Sequence, residues 1–340
     1  MKNLDLKSLV LVPFPVRGGG FTMAEILLSL TIIGVVAAIT LPSLTGNINE
    51  RTWNTQRKAL YARFSQAIAL MPALNGYGTY SKDAEGNVTD TATETFITNG
   101  LAKVLKINNI CDNDHLKDCG IVEKFNTLAG GTMSVPKDLK ELNSMFTERY
   151  AGFLNPQKDI VTKAAAFETA NGESILAFYN PYCVDFNGSI INNSSIGYGD
   201  NVERHYVQMN MCANFIFDLN GNKGPNAVGK DIGWISALYP SDTTVVMPVM
   251  LSANTLSREY NHSQAVSECK NFNAETRLPN KEELMSMFYN KDLIGNQALN
   301  TRHVWSSSTN QKSYYWGLNF SSADMYLIPD RPEYIYCVKR

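Results

Sequence analysis

The feature that most narrows what this chain can become is FTMAEILLSLTIIGVVAAITLPSL, residues 21 to 44, in which Glu25 is the only charge before Glu50. Residues 26 to 41 are an apolar run, about 24 Å of helix at 1.5 Å per residue, slightly short of a hydrocarbon core of about 30 Å. With its flanks included, the run is expected to span a membrane. Upstream, residues 1 to 20 carry Lys2, Lys7 and Arg17 against Asp5 and end in three glycines. Basic residues before an apolar run stay on the cytoplasmic side, so everything after it is expected outside.

Three plainer readings each leave something unexplained. An ordinary cleaved signal peptide sets its basic region directly before the apolar run, whereas here a Gly-Gly-Gly break and an acidic residue intervene. A simple anchor does not account for Glu25, because a carboxylate at the edge of an apolar helix is costly without a partner. A buried soluble helix accounts neither for the leader nor for the uninterrupted apolar run.

Gly20, Phe21 and Glu25 lie in a G-F-T-x-x-E pattern that resembles the prepilin leader of type IV pilins and type II secretion pseudopilins. The resemblance implies cleavage by a prepilin peptidase between Gly20 and Phe21 and methylation of the new N-terminal Phe21. Gly34 and Pro42 also fall where such pilins carry Gly and Pro. It further implies other pilin or pseudopilin subunits as partners, with the inner membrane as the site before assembly. The assembled head then stands outside the cytoplasm in a pilus or pseudopilus. Assembly has a physical rationale: the free Phe21 amine is expensive in an apolar bundle, and Glu25 of a neighbouring subunit offers the compensating carboxylate. Pro42 removes a helix hydrogen bond, so it either bends the helix during packing or simply ends the apolar span.

Beyond Pro42 the pattern turns amphipathic, with Trp53, Leu60, Phe64, Ala67, Ile68, Met71 and Leu74 at helical spacings and Asn75-Gly76 as a stop. Residues 21 to 75 are therefore expected to form one long pilin-type helix, an apolar half followed by an amphipathic half. Arg51, Arg57, Lys58 and Arg63 are spread as a solvated face is, not gathered as a binding patch.

The rest reads as an α+β head over 76 to 240, a Pro-containing linker over 241 to 257, and a C-terminal module over 258 to 340. Helix-like 136 to 149 alternates with apolar strands at 175 to 179 and 206 to 211, which argues for an α+β class. A formal net charge of −2 leaves no excess of cations for a phosphate backbone, so nucleic acid is not an expected partner. The six cysteines contain no CxxC pair, which speaks against zinc ribbons and for disulfides in an oxidising compartment. The expected pairs are Cys111 with Cys119, Cys183 with Cys212, and Cys269 with Cys337. Cys111, His115 and Cys119 recur every four residues, an arrangement open to metal as well as to a local disulfide loop.

Two further segments are candidates for binding. Asp218, Asn220 and Asp231 surround glycines and a proline in FDLNGNKGPNAVGKDI, residues 217 to 232. Such an oxygen-rich turn either wraps calcium or caps its own backbone. The segment resembles turns of pilin-like proteins, and some pseudopilins hold calcium in a comparable loop. The C-terminal part resembles DUF1566-type, lectin-like modules through Cys269, Arg277, Leu278, Pro279, Glu283, Leu284, Trp305, Ser306, Ser307, Trp316 and Cys337. There Trp305, Tyr314, Tyr315, Trp316 and Tyr326 form either a sugar-binding face or sheet core. Asn280 is placed to cap a helix opened by Glu282 and Glu283.

Catalytic patterns are missing: no HExxH, GxSxG, Walker A or Rossmann fingerprint occurs, and His115, His205, His262 and His303 are dispersed. The expectation is a non-enzymatic, exported minor or specialised pilin. A type II secretion pseudopilin is the alternative machine part. A surface adhesin binding a glycan or protein ligand, mounted on a pilin-like anchor, is the alternative of another class.

Overall fold

A computed structural model describes residues 22–74, 89–142, 162–180, 206–207, 210–239, 245–250, 258–295, 303–309, 314–321 and 324–339. Its helices are α1 (Met23–Leu74), α2 (Ala92–Asn99), α3 (Leu139–Leu142), α4 (His262–Phe272), α5 (Lys281–Tyr289) and α6 (Lys291–Ile294). The strands before residue 200 are β1 (Ile107–Cys111), β2 (Lys124–Asn126), β3 (Thr132–Ser134), β4 (Ala165–Thr169) and β5 (Ser174–Tyr179). Next come β6 (Tyr206–Val207), β7 (Asn210–Asp218), β8 (Ile232–Tyr239), β9 (Val245–Val246) and β10 (Thr276–Arg277). The last are β11 (His303–Thr309), β12 (Tyr314–Asn319), β13 (Asp324–Pro329) and β14 (Val338–Lys339). The chain divides into two units, Met1–Thr52 and Trp53–Arg340.

The second unit is built on a six-stranded sheet in the order β1-β4-β5-β7-β8-β9, antiparallel throughout. Alternation of side chains decides what lies on each face. Along β5, Ile175, Ala177 and Tyr179 join one core cluster while Leu176 and Phe178 join the other. Along β7, Phe215 and Phe217 take the first face and Ile216 the second. Because both faces are covered, β5 is buried at every position and reads as a continuous apolar run.

The first face is covered by α1 and α2. Leu60, Phe64, Ala67, Ile68 and Met71 recur along one stripe of α1 and are each at most 2% exposed. The Phe64 ring meets Phe215 edge-on at 4.9 Å and stacks on Phe167 at 6.3 Å. From α2, Phe96 stacks on Tyr179 at 4.3 Å. Each such side chain contributes about 1.5–3 kcal/mol by leaving water.

The opposite face is covered by α5 and α6, which belong to the C-terminal segment. Leu284, Met285, Phe288 and Leu293 share a cluster with Leu176, Phe178 and Trp234 of the sheet. A buried polar network crosses the same layer. Trp234 Nε1 donates to Ser286 Oγ at 3.1 Å, Ser236 Oγ donates to Asn214 Oδ1 at 2.7 Å, and the Asn214 and Asn290 amides exchange hydrogen bonds at 2.8 and 3.0 Å. A satisfied network of this kind fixes register as well as proximity.

A second antiparallel sheet runs β11-β12-β13-β6. The strand read in the sequence over 206 to 211 is divided between two: 206–207 form β6 and pair with β13, 210–211 open β7 in the central sheet, and 208–209 lie outside the described residues. The described part of 241 to 257 is packed as well, with β9 pairing β8 at the sheet edge. Of the helix expected over 136 to 149, α3 covers Leu139–Leu142, and 143 to 149 lie outside the described residues.

The fold is thus α+β with a sheet-rich body, but the long helix with an apolar membrane-crossing half requires correction. α1 is 52 residues long, yet its described apolar part, residues 23 to 36, amounts to about 21 Å at 1.5 Å per residue. It contains Glu25, Ser29, Thr31 and Gly34, and its large apolar side chains are exposed, from Ile26 at 45% to Met23 at 79%. Among the described residues no helix is long and apolar enough to cross a membrane. The backbone of α1 continues through Pro42, so in this structure the proline does not end the helix.

Candidate functional site

Gly20 and Phe21 lie outside the described residues, whereas Glu25 has a clear local role. Thr22 precedes the first helical residue, and the Glu25 carboxylate accepts from the Thr22 backbone N–H and hydroxyl, both at 2.9 Å. In return the Glu25 N–H donates to Thr22 Oγ1 at 3.3 Å. This is a reciprocal capping box at the start of α1. The Glu25 carboxylate therefore organises the start of its own helix, a role not read from the sequence.

The richest constellation lies in the connection between β7 and β8, where Asp218 closes one strand and Ile232 opens the next as paired residues. Asp218 and Asp231 are 3% and 0% exposed. Both oxygens of Asp231 are engaged, since the backbone N–H groups of Asn226 and Ala227 donate to Oδ2 and Oδ1, each at 2.9 Å. Asp231 thereby pins the turn. Asp218 Oδ1 accepts from the Asn220 N–H at 3.1 Å, and Asn220 Nδ2 donates to the Gly224 carbonyl at 2.9 Å.

Three oxygens of this turn remain buried without a hydrogen-bond partner: Asp218 Oδ2, Asn220 Oδ1 and Asn226 Oδ1. Leaving a buried acceptor unmatched costs about 1–3 kcal/mol, more when it is charged. Burial pushes the Asp218 carboxyl up to about 7; the negative charge of Asp231 adds to this, and the N–H groups of Asn220 and Gly221 oppose it. These residues fit a hard cation by their chemistry, for all three unmatched atoms are carboxylate or amide oxygens. Among the described residues no group of three His, Cys, Asp or Glu is gathered for a metal, and the turn itself has only two acidic members.

Asn226 was not among the residues read from the sequence as candidates. It holds φ at 51°, a left-handed conformation that Asn tolerates better than most residues. The turn is anchored to the body on two sides. Asn126 of β2 donates its N–H to the Asn226 carbonyl at 2.9 Å and its side-chain amide to the Pro225 carbonyl at 3.1 Å. From α1, the buried Arg57 guanidinium donates to the carbonyls of Gly229, at 2.8 Å, and Lys230. Arg57, expected on a solvated face, is 4% exposed. Gly229 has φ +84°, and a Cβ there would meet Leu128 Cδ1 at 2.8 Å, so the carbonyls facing Arg57 depend on a glycine at this position.

The cysteines are structural where described. Cys111 and Cys119 are joined across a loop of eight residues, and Cys269 is joined to Cys337 across 68. Cys212 is disulfide-bonded, while Cys183 lies outside the described residues. With both sulfurs bonded to each other, Cys111 and Cys119 are not metal ligands, and His115 Nδ1 is paired with Asp112 at 2.7 Å.

Of the residues carrying the lectin-like resemblance, Cys269, Leu278, Glu283, Leu284, Trp305 and Ser306 are buried, Arg277 and Trp316 are partly buried, and Ser307 is exposed. Arg277 makes a two-pronged pair with Glu283 at 2.7 and 2.8 Å. Glu283 also forms a capping box with Asn280 at the start of α5. Trp305 is fully buried, with its indole N–H donating to the Tyr260 carbonyl at 2.7 Å. Tyr315 stacks on His262 at 3.7 Å. Trp316 is half-buried, with Lys281 Nζ 5.8 Å from its ring centre, Tyr314 is likewise half-buried, and the Tyr326 side chain lies outside the described residues. In comparisons with known proteins the chain matches no family model, no curated protein and no solved structure.

Proposed function

We propose that this chain is an exported structural subunit, a minor or specialised pilin, of a type IV pilus-like filament. In this reading prepilin peptidase cuts between Gly20 and Phe21, and the processed chain, held at the inner membrane, joins other pilin subunits. It then carries its disulfide-bonded body outside the cytoplasm. The observation that carries the reading is the pairing of the G-F-T-x-x-E pattern with the exposed apolar surface of residues 23 to 36. Met23, Leu27, Leu28, Leu30 and Ile33 are each more than 60% exposed, and contiguous apolar surface of this kind marks a contact site. Packing against the same segment of neighbouring subunits buries it, so assembly rests on contact between these segments.

Glu25 separates this reading from that of an inert anchor. Gln serves in a capping box as Glu does, so Glu25→Gln keeps the start of α1 intact but removes the charge that neutralises a neighbour's Phe21 ammonium. Glu25→Ala removes both. Cells carrying each variant are sheared, and the filament and membrane fractions are compared. The reading expects both variants to be processed and to remain in the membrane fraction. Entry of Glu25→Gln and Glu25→Ala into filaments at the wild-type level would sink it.

A further inference from the structure

We propose that Asn171, in the turn between β4 and β5, is a self-modification site at which the Arg63 guanidinium promotes loss of the side-chain amide. The inference goes beyond the filament reading and does not depend on it. Asn-Gly pairs begin at Asn75, Asn99, Asn171, Asn187 and Asn220. Glycine after asparagine is the neighbour that least obstructs attack of the next backbone nitrogen on the side-chain carbonyl carbon. What singles out Asn171 is its surroundings.

Asn171 and Gly172 are both exposed. Gly172 holds φ at +83°, and a Cβ built there would meet nothing within 4 Å, so this peptide has room to turn. Only the amide oxygen can face a guanidinium, and Asn171 Oδ1 accepts from Arg63 Nη1 and Nη2 at 3.0 and 3.2 Å. Glu173, itself 3% exposed, holds Arg63 in place, its Oε1 accepting from Nη2 at 2.5 Å. A cation fixed on a carbonyl oxygen makes the carbon a better electrophile and stabilises the oxyanion that attack creates.

The step balances with water as its only co-reactant. Hydroxide takes the Gly172 amide proton and the nitrogen bonds to Asn171 Cγ; the Cγ–Nδ2 bond then breaks, and ammonia leaves with a proton from water. Water opens the resulting succinimide at either carbonyl, and residue 171 becomes aspartate or isoaspartate. The Gly172 N–H donates to the Thr169 carbonyl at 2.9 Å, so one hydrogen bond at the exposed tip of the turn opens first. The other two described pairs each lack a part of this arrangement. Gly100 is buried at the end of α2, its N–H donating to the Phe96 carbonyl at 3.0 Å. Asn220 Oδ1 is buried with no donor to polarise it, and the Gly224 carbonyl holds its Nδ2 at 2.9 Å.

The test incubates the full chain in mild detergent at mildly alkaline pH, digests it in acid and follows peptide masses at the three pairs, with isoaspartate read by enzymatic methyl transfer. Wild type is expected to convert Asn171 at least about tenfold faster than Asn99 and Asn220. Arg63→Gln is expected to slow conversion at 171 by about tenfold, less than a buried oxyanion donor is worth because this one is exposed. Asn99 and Asn220 should keep their wild-type rates in the same digest, whereas a general loosening of the fold would speed all three. Arg63→Lys retains the charge but not the two-pronged contact, and is expected to slow conversion at 171 by a smaller factor. Equal rates at the three pairs in wild type overturn the site. Conversion at 171 at the wild-type rate or faster in both Arg63 variants overturns the role of the guanidinium.

Discussion

Removing the Phe64 ring tests how α1 is held on the body. Phe64 is fully buried, edge-on to Phe215 at 4.9 Å and stacked on Phe167 at 6.3 Å. Phe→Ala at such a site costs about 3–5 kcal/mol, from lost transfer energy together with the cavity left behind. The edge-on pair supplies about 0.5–1.5 kcal/mol of that beyond area burial. In a body of this size each kcal/mol shifts the melting temperature by roughly 2–4 °C, so Phe64→Ala is expected to melt about 10 °C lower. The assay is thermal unfolding followed by near-ultraviolet circular dichroism with disulfides intact, supported by the guanidinium midpoint. Leu70→Ala, on the same helix but 55% exposed, is the control and should change stability by less than about 0.5 kcal/mol. If the two substitutions cost the same, α1 is not docked through the stripe that contains Phe64.

The two described disulfides close loops of very different length. By chain entropy, the Cys269–Cys337 link, spanning 68 residues, is worth about 4 kcal/mol and the Cys111–Cys119 link, spanning eight, about 2.5; paired Ser substitutions and denaturant titration should preserve that order. His262 is held below its usual range by burial, opposed by its hydrogen bond to the Ser306 carbonyl and by the charge of Asp330. A depressed histidine contributes stability that is fully present above its unfolded value of about 6.5 and is lost as pH falls through the folded value. Melting below about pH 6.5 should therefore decline more steeply in wild type than in His262→Gln, and parallel curves would contradict this.

Much of the body was legible because its signals are local and repeated. The spacing of Leu60, Phe64, Ala67, Ile68 and Met71 marks the buried stripe of α1, and the apolar run at 175 to 179 marks a strand covered on both faces. Asn280 followed by Glu283 marks the start of α5. What escaped reading is non-local. β6 is two residues long and takes its place from β13, more than a hundred residues away in sequence. The Asn214, Ser236, Ser286 and Asn290 network has no period, since polar residues in a core are defined only by one another.

Arg57 illustrates the same limit. A cation on an amphipathic helix looks solvated until a pair of carbonyls arrives from the turn at 229 and 230. Asn226 stood inside a segment already singled out, but its left-handed backbone and unmatched oxygen appear only once the turn is closed. In the other direction, the apolar run at 26 to 41 suggested a membrane-crossing half-helix, whereas the described residues contain no helix of the necessary length and apolarity. Hydropathy reports that surface must be covered; it does not say by what.

The central claim is processing for assembly, and intact-mass analysis of the chain recovered from sheared filaments tests it most directly. The account predicts a mature chain that begins at Phe21, carries one added methyl group at its N-terminus and retains its disulfides. A chain that still begins at Met1, one cut inside the apolar run near Ile39, or no chain in the filament fraction would contradict it.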